Sequence, residues 1–362
     1  MTTTLRIVAA CLAGQWFVVA GEPGRMVEID YQGTKRTGTV ILHQADVGWF
    51  LERDGRLEAI SLSAVGHYRQ LGRFQPWSIV ELREQLSREF GPEFRVVSTS
   101  HYLVVVPVGR GERLAHLFEE LYRQFVVVFS SRGLPIREPR FPLVAVVLPD
   151  LAAFQRYCHK EGVQPQPGLR GYYLPSSNRV ALYDVPTEGP AASAALDATV
   201  IHEATHQVAF NLGIHSRMNA DPQWVVEGLA TVFEREAVRL NDRRAPVLGR
   251  VNPERYARFQ QYRQARRPAD ALRRLISTDI PFEAEPLDAY AEAWALSFYL
   301  LERRPAEYAS YLRKLSARDP WSDYDAERRL KDFQDVFGRD LAAFEQQFLR
   351  YYRELAASAA DD

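Results

Sequence analysis

Val200-Ile201-His202-Glu203-Ala204-Thr205-His206-Gln207-Val208-Ala209-Phe210 is the stretch around which the rest of the chain can be read. On a helix, the four-residue spacing of His202 and His206 puts both imidazoles on one face, one turn apart. That is close enough for both to grip a single ion. Glu203 lies about 100° round the helix from His202. There it flanks such an ion without ligating it, which is where a general base for a metal-activated water belongs.

A zinc ion in a catalytic site takes three protein ligands and leaves a fourth position open. The segment Asp221-Pro222-Gln223-Trp224-Val225-Val226-Glu227-Gly228-Leu229-Ala230-Thr231 offers Glu227 as the third. Asp221 before Pro222 reads as an N-cap and first helical residue, so Glu227 falls in the second turn of a new helix. Gly213 is the expected C-cap of the first helix, and Ile214 to Ala220 makes the reversal. Two helices joined this way pack antiparallel, which returns Glu227 towards His202 and His206. Gly228 and Ala230 are small enough for the two helices to approach closely. Glu227 is flanked by Trp224, Val225, Val226 and Leu229, unlike the solvated glutamate usual on a helix.

His202-Glu203-Ala204-Thr205-His206 followed by Trp224-x-x-Glu227-Gly228-x-Ala230 resembles the gluzincin zinc peptidases. More narrowly, it is similar to a bacterial group of gluzincin-like domains with a Trp-x-x-Glu-Gly-x-Ala helix after the His-Glu-x-x-His helix. The resemblance extends upstream to Tyr172-Tyr173 and downstream to Tyr290-x-x-x-Trp294, over residues 92 to 350. It implies Zn²⁺ as cofactor, held by His202, His206 and Glu227, with Glu203 as catalytic base and a peptide or protein as substrate. It also implies an oxyanion donor in Tyr290, on a helix like the one that brings a Tyr or His over the site in gluzincins; His215 is the second choice. In zinc peptidases of this kind the edge strand before the metal helix pairs with an extended substrate. By that analogy Arg179, Val180, Ala181 and Leu182 are the substrate-binding residues. Thermolysin-like relatives set the third ligand among polar residues, where this chain has Val226 and Thr231. Thr231 and Glu234, one and two turns beyond Glu227, are the residues expected to orient the ligating histidines.

The whole chain of 362 residues, 46% hydrophobic and 12% aromatic, can bury real cores and is not disordered. A formal net charge of −1 argues against generic nucleic-acid binding. After the N-terminus, no stretch approaches the roughly 20 apolar residues of a membrane span. Residues 1–20 read as a signal peptide: one positive charge by Arg6, a mostly apolar run to Ala20, and Val18-Val19-Ala20 as the cleavage site. The protein is then exported, to the periplasm, cell envelope or exterior, with Cys158 as its sole cysteine and no intrachain disulfide. Residues 21–75 show short alternating strands and an Asp54-Gly55 hairpin, which predicts an SH3-like barrel. Residues 76–250 interleave strands and helices, and 251–362 carry apolar residues at helical spacing. The expected fold class is therefore α+β: a small barrel, a zincin-like domain with a mixed sheet and active-site helix, and a C-terminal helical lobe. The expected activity is zinc-dependent hydrolysis of peptide bonds. Rival readings are an exported cell-envelope scaffold that keeps the fold without turnover, and a cytoplasmic metal-dependent hydrolase of a non-peptide bond.

Overall fold

The computed structural model describes residues 24–361 apart from 110, 135, 185–189, 243 and 245. Residues 1–20, read above as a signal peptide, lie outside the described residues. The chain divides into two units, one running through Arg53 and including Glu58–Gln75, the other made of Asp54–Leu57 and everything from Pro76 onward.

In the first unit, alternation of apolar and polar residues makes β1 (Arg25–Tyr31), β2 (Thr34–Gln44), β3 (Val47–Glu52), β4 (Leu57–Ser61) and β5 (Val65–Arg73), an antiparallel sheet in the order β4-β3-β2-β1-β5. Gln32 and Gly33, both at positive φ, turn β1 into β2. Val27, Ile29, Tyr31, Phe50 and Ile60 form its core. The expected closed barrel is not found: among the described residues β4 and β5 stay at opposite edges and the sheet is open. The reason lies in β5, where every residue after Val65 is exposed and no apolar face is left to roll the sheet shut.

The second unit begins with α1 (Ile79–Phe90). Its capping box is complete: Glu81 N–H donates to Ser78 Oγ at 3.3 Å and Ser78 N–H to Glu81 Oε2 at 2.8 Å. Then follow β6 (Phe94–Ser98), β7 (Tyr102–Pro107), α2 (Glu112–Ser130), β8 (Leu143–Leu148), α3 (Leu151–Lys160), β9 (Gly171–Leu174) and β10 (Arg179–Tyr183). The sheet order is β6-β7-β8-β10-β9, with β7, β8 and β10 parallel and the outer strands antiparallel to them. Central parallel strands are covered on both faces and so are apolar on both. Val104, Ala145, Val147, Val180 and Leu182 share a core with α2 and the later helices; Val105, Val144, Val146 and Ala181 pack with α1 and α3.

This order corrects the expected substrate-binding edge. Arg179, Val180, Ala181 and Leu182 lie on β10, whose two sides are hydrogen-bonded to β8 and β9, and all four residues are buried. No edge is left there for an added strand. The Arg179 guanidinium is spent on Glu89, at 2.9 Å. The sheet edge next to α4 belongs to β9.

From residue 190 the unit is helical: α4 (Pro190–Asn211), α5 (Gln223–Phe233), α6 (Glu236–Arg239), α7 (Val247–Arg250), α8 (Pro253–Ala265), α9 (Ala271–Ser277), α10 (Ile280–Ala284), α11 (Pro286–Arg303), α12 (Pro305–Ser316), α13 (Ala326–Phe337) and α14 (Leu341–Asp361). One hydrophobic core runs from β7 to α14, so the helices beyond residue 250 are built into the same body as the sheet. Trp224 of α5 and Trp294 of α11 are wholly buried in it. Together they remove on the order of 400 Å² of surface from water, a gross gain of roughly 10 kcal/mol. Among the described residues, no helix is long and apolar enough to cross a membrane.

Candidate metal centre

The rotation of α4 against the sheet is set by amides. The buried Gln207 donates its Nε2 to the Val144 carbonyl at 2.9 Å and to the Asn178 carbonyl at 2.8 Å. Asn211 and Asn178 exchange side-chain hydrogen bonds at 2.7 and 2.9 Å, and Tyr173 Oη donates to Asn178 Oδ1 at 2.9 Å. Asn178 holds a left-handed φ of 60°, which asparagine tolerates better than most residues. The β9–β10 turn is thereby tied to the helix directly after the histidine motif. With Gln207 held against the sheet, its helical neighbours His202, Glu203 and His206 are fixed relative to β9.

The structure brings the three expected ligands together. His202 Nε2 and His206 Nε2 are 3.2 Å apart, and Glu227 Oε2 lies 3.4 Å from the first and 3.7 Å from the second. One ligand atom from each residue falls within 4.8 Å of the others, a group that could hold a metal ion. On the far side of the ring, His202 Nδ1 donates to Glu234 Oε1 at 3.0 Å. That bond engages Nδ1 and leaves Nε2 as the ring nitrogen that faces Glu227. Glu234 is held in turn by Asn252, whose Nδ2 donates to Oε2 at 2.8 Å while its Oδ1 accepts from Arg255 N–H and caps α8.

Other sequence expectations move. Thr231 does not reach a histidine; its hydroxyl donates to the carbonyls of Glu227 and Gly228, because it points back along its own helix. Asp221 does not cap α5. Its carboxylate is buried between Arg318, at 2.7 Å, and His215 Nδ1, at 3.3 Å, and the Gln223 N–H is taken instead by Asp279 at 3.0 Å. His215 is thus engaged by Asp221 and packs on Phe210, outside the ligand group. Gly228 does allow a close helix approach, but to α11: a Cβ there would sit 2.5 Å from the Ala293 carbonyl and would overlap Ser297 Oγ.

Burial raises the Glu203 carboxyl above the usual carboxylate range, with Glu227 adding to the effect and His202, His206 and a hydrogen bond from Tyr173 N–H opposing it. Burial would do the same to Glu227, but His206 and His202 outweigh it and hold that carboxylate far below its ordinary value. Burial opposes charge on His202 as well, yet Glu227 and Glu234 overcome it and raise the imidazole well above its usual range. Tyr290 lies within electrostatic reach of the group: burial first, then the charges of Glu227 and Glu203, push its phenol up.

Glu227 Oε2 supplies the sharper test of fit. It is buried, has no hydrogen-bond partner, and points between two imidazole nitrogens. Leaving a buried carboxylate oxygen unpaired is costly. Two imidazoles and one carboxylate form a donor set that suits zinc, and completing it would remove that cost.

Sequence reading misses the groups that aim these ligands. Gln207, a polar residue directly before Val208-Ala209-Phe210, carries a signal, since a buried amide must find partners. Asn252 before Pro253 reads only as a helix cap, and nothing in its neighbourhood points to Glu234.

No curated protein matches the chain. Residues 197–322 match the family described as "Protein of unknown function (DUF1570)", and the matched span contains His202, Glu203, His206, Glu227, Glu234, Asn252 and Tyr290.

Proposed function

We propose that the chain is a zinc-dependent peptidase of the zincin type, with His202, His206 and Glu227 as metal ligands and Glu203 as general base. The observation that carries this reading is the convergence of three ligand atoms, one of them an orphaned buried carboxylate oxygen, beside a further carboxyl, that of Glu203, outside the group. Zn²⁺ held there supplies the charge that makes water acidic near neutral pH and draws electrons from a scissile carbonyl.

Glu203 takes the proton of the attacking water and hands it to the leaving amine. Its raised proton affinity suits that shuttle, and the Tyr173 N–H keeps its carboxylate oriented. Tyr290, directed at the same group, donates to the carbonyl oxygen as that atom gains charge. The sheet edge formed by β9 runs beside Glu203 and supports an extended peptide as ligand. Export after removal of residues 1–20 belongs to the same proposal and rests on the sequence.

The test is a mixed peptide library incubated with the purified chain and read by mass spectrometry. Cleavage should disappear on treatment with a zinc chelator and return when zinc is restored. Cleavage that survives complete metal removal would sink the reading.

A further inference from the structure

Six arginines lie between residues 250 and 267. Arg250 pairs with Glu302, Arg258 and Arg266 with Asp288, and Arg267 with Glu292 and Glu345. Arg263 donates to Gln260. Arg255 is half-buried, yet among the described residues it has no carboxylate within ion-pair distance. Its guanidinium lies over the Tyr290 ring, 5.5 Å from the centroid. The phenol of that same ring feels the charges of Glu227 and Glu203.

The position of Arg255 is also fixed from behind. Its backbone N–H donates to Asn252, and Asn252 holds Glu234, the carboxylate that holds His202. The cation and the ligand cluster therefore share one frame and stand one aromatic ring apart. A half-buried guanidinium without a counter-ion is costly to maintain. Its planar fork of donors matches a carboxylate better than any other common anion of peptides.

We infer that Arg255 binds a substrate carboxylate next to the scissile bond, so that the preferred substrates are peptides with a free C-terminus, or an acidic side chain, at that place. This rests on the peptidase reading and narrows it to a substrate class. The carboxylate lies across Arg255, its neighbouring peptide bond is presented to Glu203 and Tyr290, and the rest of the peptide runs away from α8.

The experiment uses the full chain, zinc-loaded, with Glu203→Gln to prevent turnover. Three probes are titrated calorimetrically: an N-acetylated tripeptide with a free C-terminal carboxylate, its C-terminal amide, and the amide with Asp as last residue. The same titrations are run with Arg255→Gln and Arg255→Lys added, each checked for an unchanged melting curve, and cleavage is followed in parallel with Glu203 intact. The expected result is a preference for the free acid over the amide of about tenfold or more. Arg255→Gln should abolish that preference and Arg255→Lys restore part of it. Recovery of tight binding by the Asp-bearing amide assigns the carboxylate to a side chain; its failure to recover assigns it to the C-terminus. Equal binding of acid and amide, or a preference that Arg255→Gln leaves intact, overturns the inference, and cleavage of both peptides would then leave the peptidase reading standing. Arg255-dependent binding of the acid without cleavage by intact Glu203 would keep Arg255 as a carboxylate site but overturn both the peptidase reading and the placing of that carboxylate beside a scissile bond. Absence of binding by all three probes overturns it as well.

Discussion

His202 meets more of the centre than any other side chain, with Nδ1 on Glu234 and Nε2 between His206 and Glu227. Glu234→Ala should therefore lower zinc affinity by about ten- to a hundredfold, the usual cost of losing a partner that orients a ligand. Thr231→Val should leave it unchanged, because that hydroxyl serves only its own helix. Competition with a chelating dye would read both. Arg179 makes a different prediction. Arg179→Met should cost stability, on the order of 2 kcal/mol because Lys160 still serves Glu89, and should leave substrate affinity alone. Burial would raise the Glu89 carboxyl, but Arg179 and Lys160 outweigh it and hold it below its ordinary value of 4.5. A depressed carboxyl gives stability that is complete above about pH 4.5 and is lost as pH falls through the lower folded value. The gap in melting temperature between wild type and Glu89→Gln should thus be constant above pH 5 and shrink below pH 4.5. His202, Glu203, His206 and Glu227 are legible in the sequence because helix geometry turns a spacing of four residues into a shared face. Gln207 is not, since its partners Val144 and Asn178 lie 63 and 29 residues away and no local pattern records them.

At the scale of elements, α5 sits between α4, which carries the histidines, and α11, which carries Tyr290. At Gly228 the backbones of α5 and α11 leave no room for a side chain. Gly228→Ala should force the two helices apart, at about 1–3 kcal/mol, and lower the melting temperature by several degrees. Because the displaced helix carries Glu227, zinc affinity should fall in the same variant. Measuring both quantities separates this from a surface substitution, which would move neither. Most helices and strands were readable from capping residues and from alternation, as with Ser78 and Glu81 at the start of α1. Strand order was not. The β9–β10 hairpin declares that the two strands pair, but only the parallel union of β10 with β8 decides which of them is left at the edge. Closure of the first sheet was equally hidden, since it depends on the whole length of β5 finding something to cover.

At the scale of the molecule, the second unit is a single body whose core takes residues from both sides of position 250. Trp224 stacks on Tyr311, and Trp294 packs on Tyr352 of α14. A fragment of residues 76–250 would expose Trp224, which packs on Tyr311 and Phe333, and the face of α5 that lies against α11. It should fail to fold, with poorly dispersed amide proton resonances, whereas the complete unit should melt in one cooperative transition. The helices past residue 250 were foreseeable from their apolar spacing; their merger with the rest of the unit was not, because the contacts that make it, such as Gly228 with Ala293 and Trp224 with Tyr311, join segments far apart in the chain. The merger matters for chemistry, since the base and two ligands come from α4, the third ligand from α5, and Tyr290 from beyond that point.

The central claim is tested most directly by zinc content and peptide cleavage measured side by side on wild type and Glu203→Gln. The account predicts one zinc per chain in both proteins, with cleavage in the wild type and at least a hundredfold less in the variant. Wild-type protein that takes up no zinc when zinc is supplied would contradict the metal centre, and zinc in both with cleavage in neither would leave a metal-bearing scaffold in place of an enzyme.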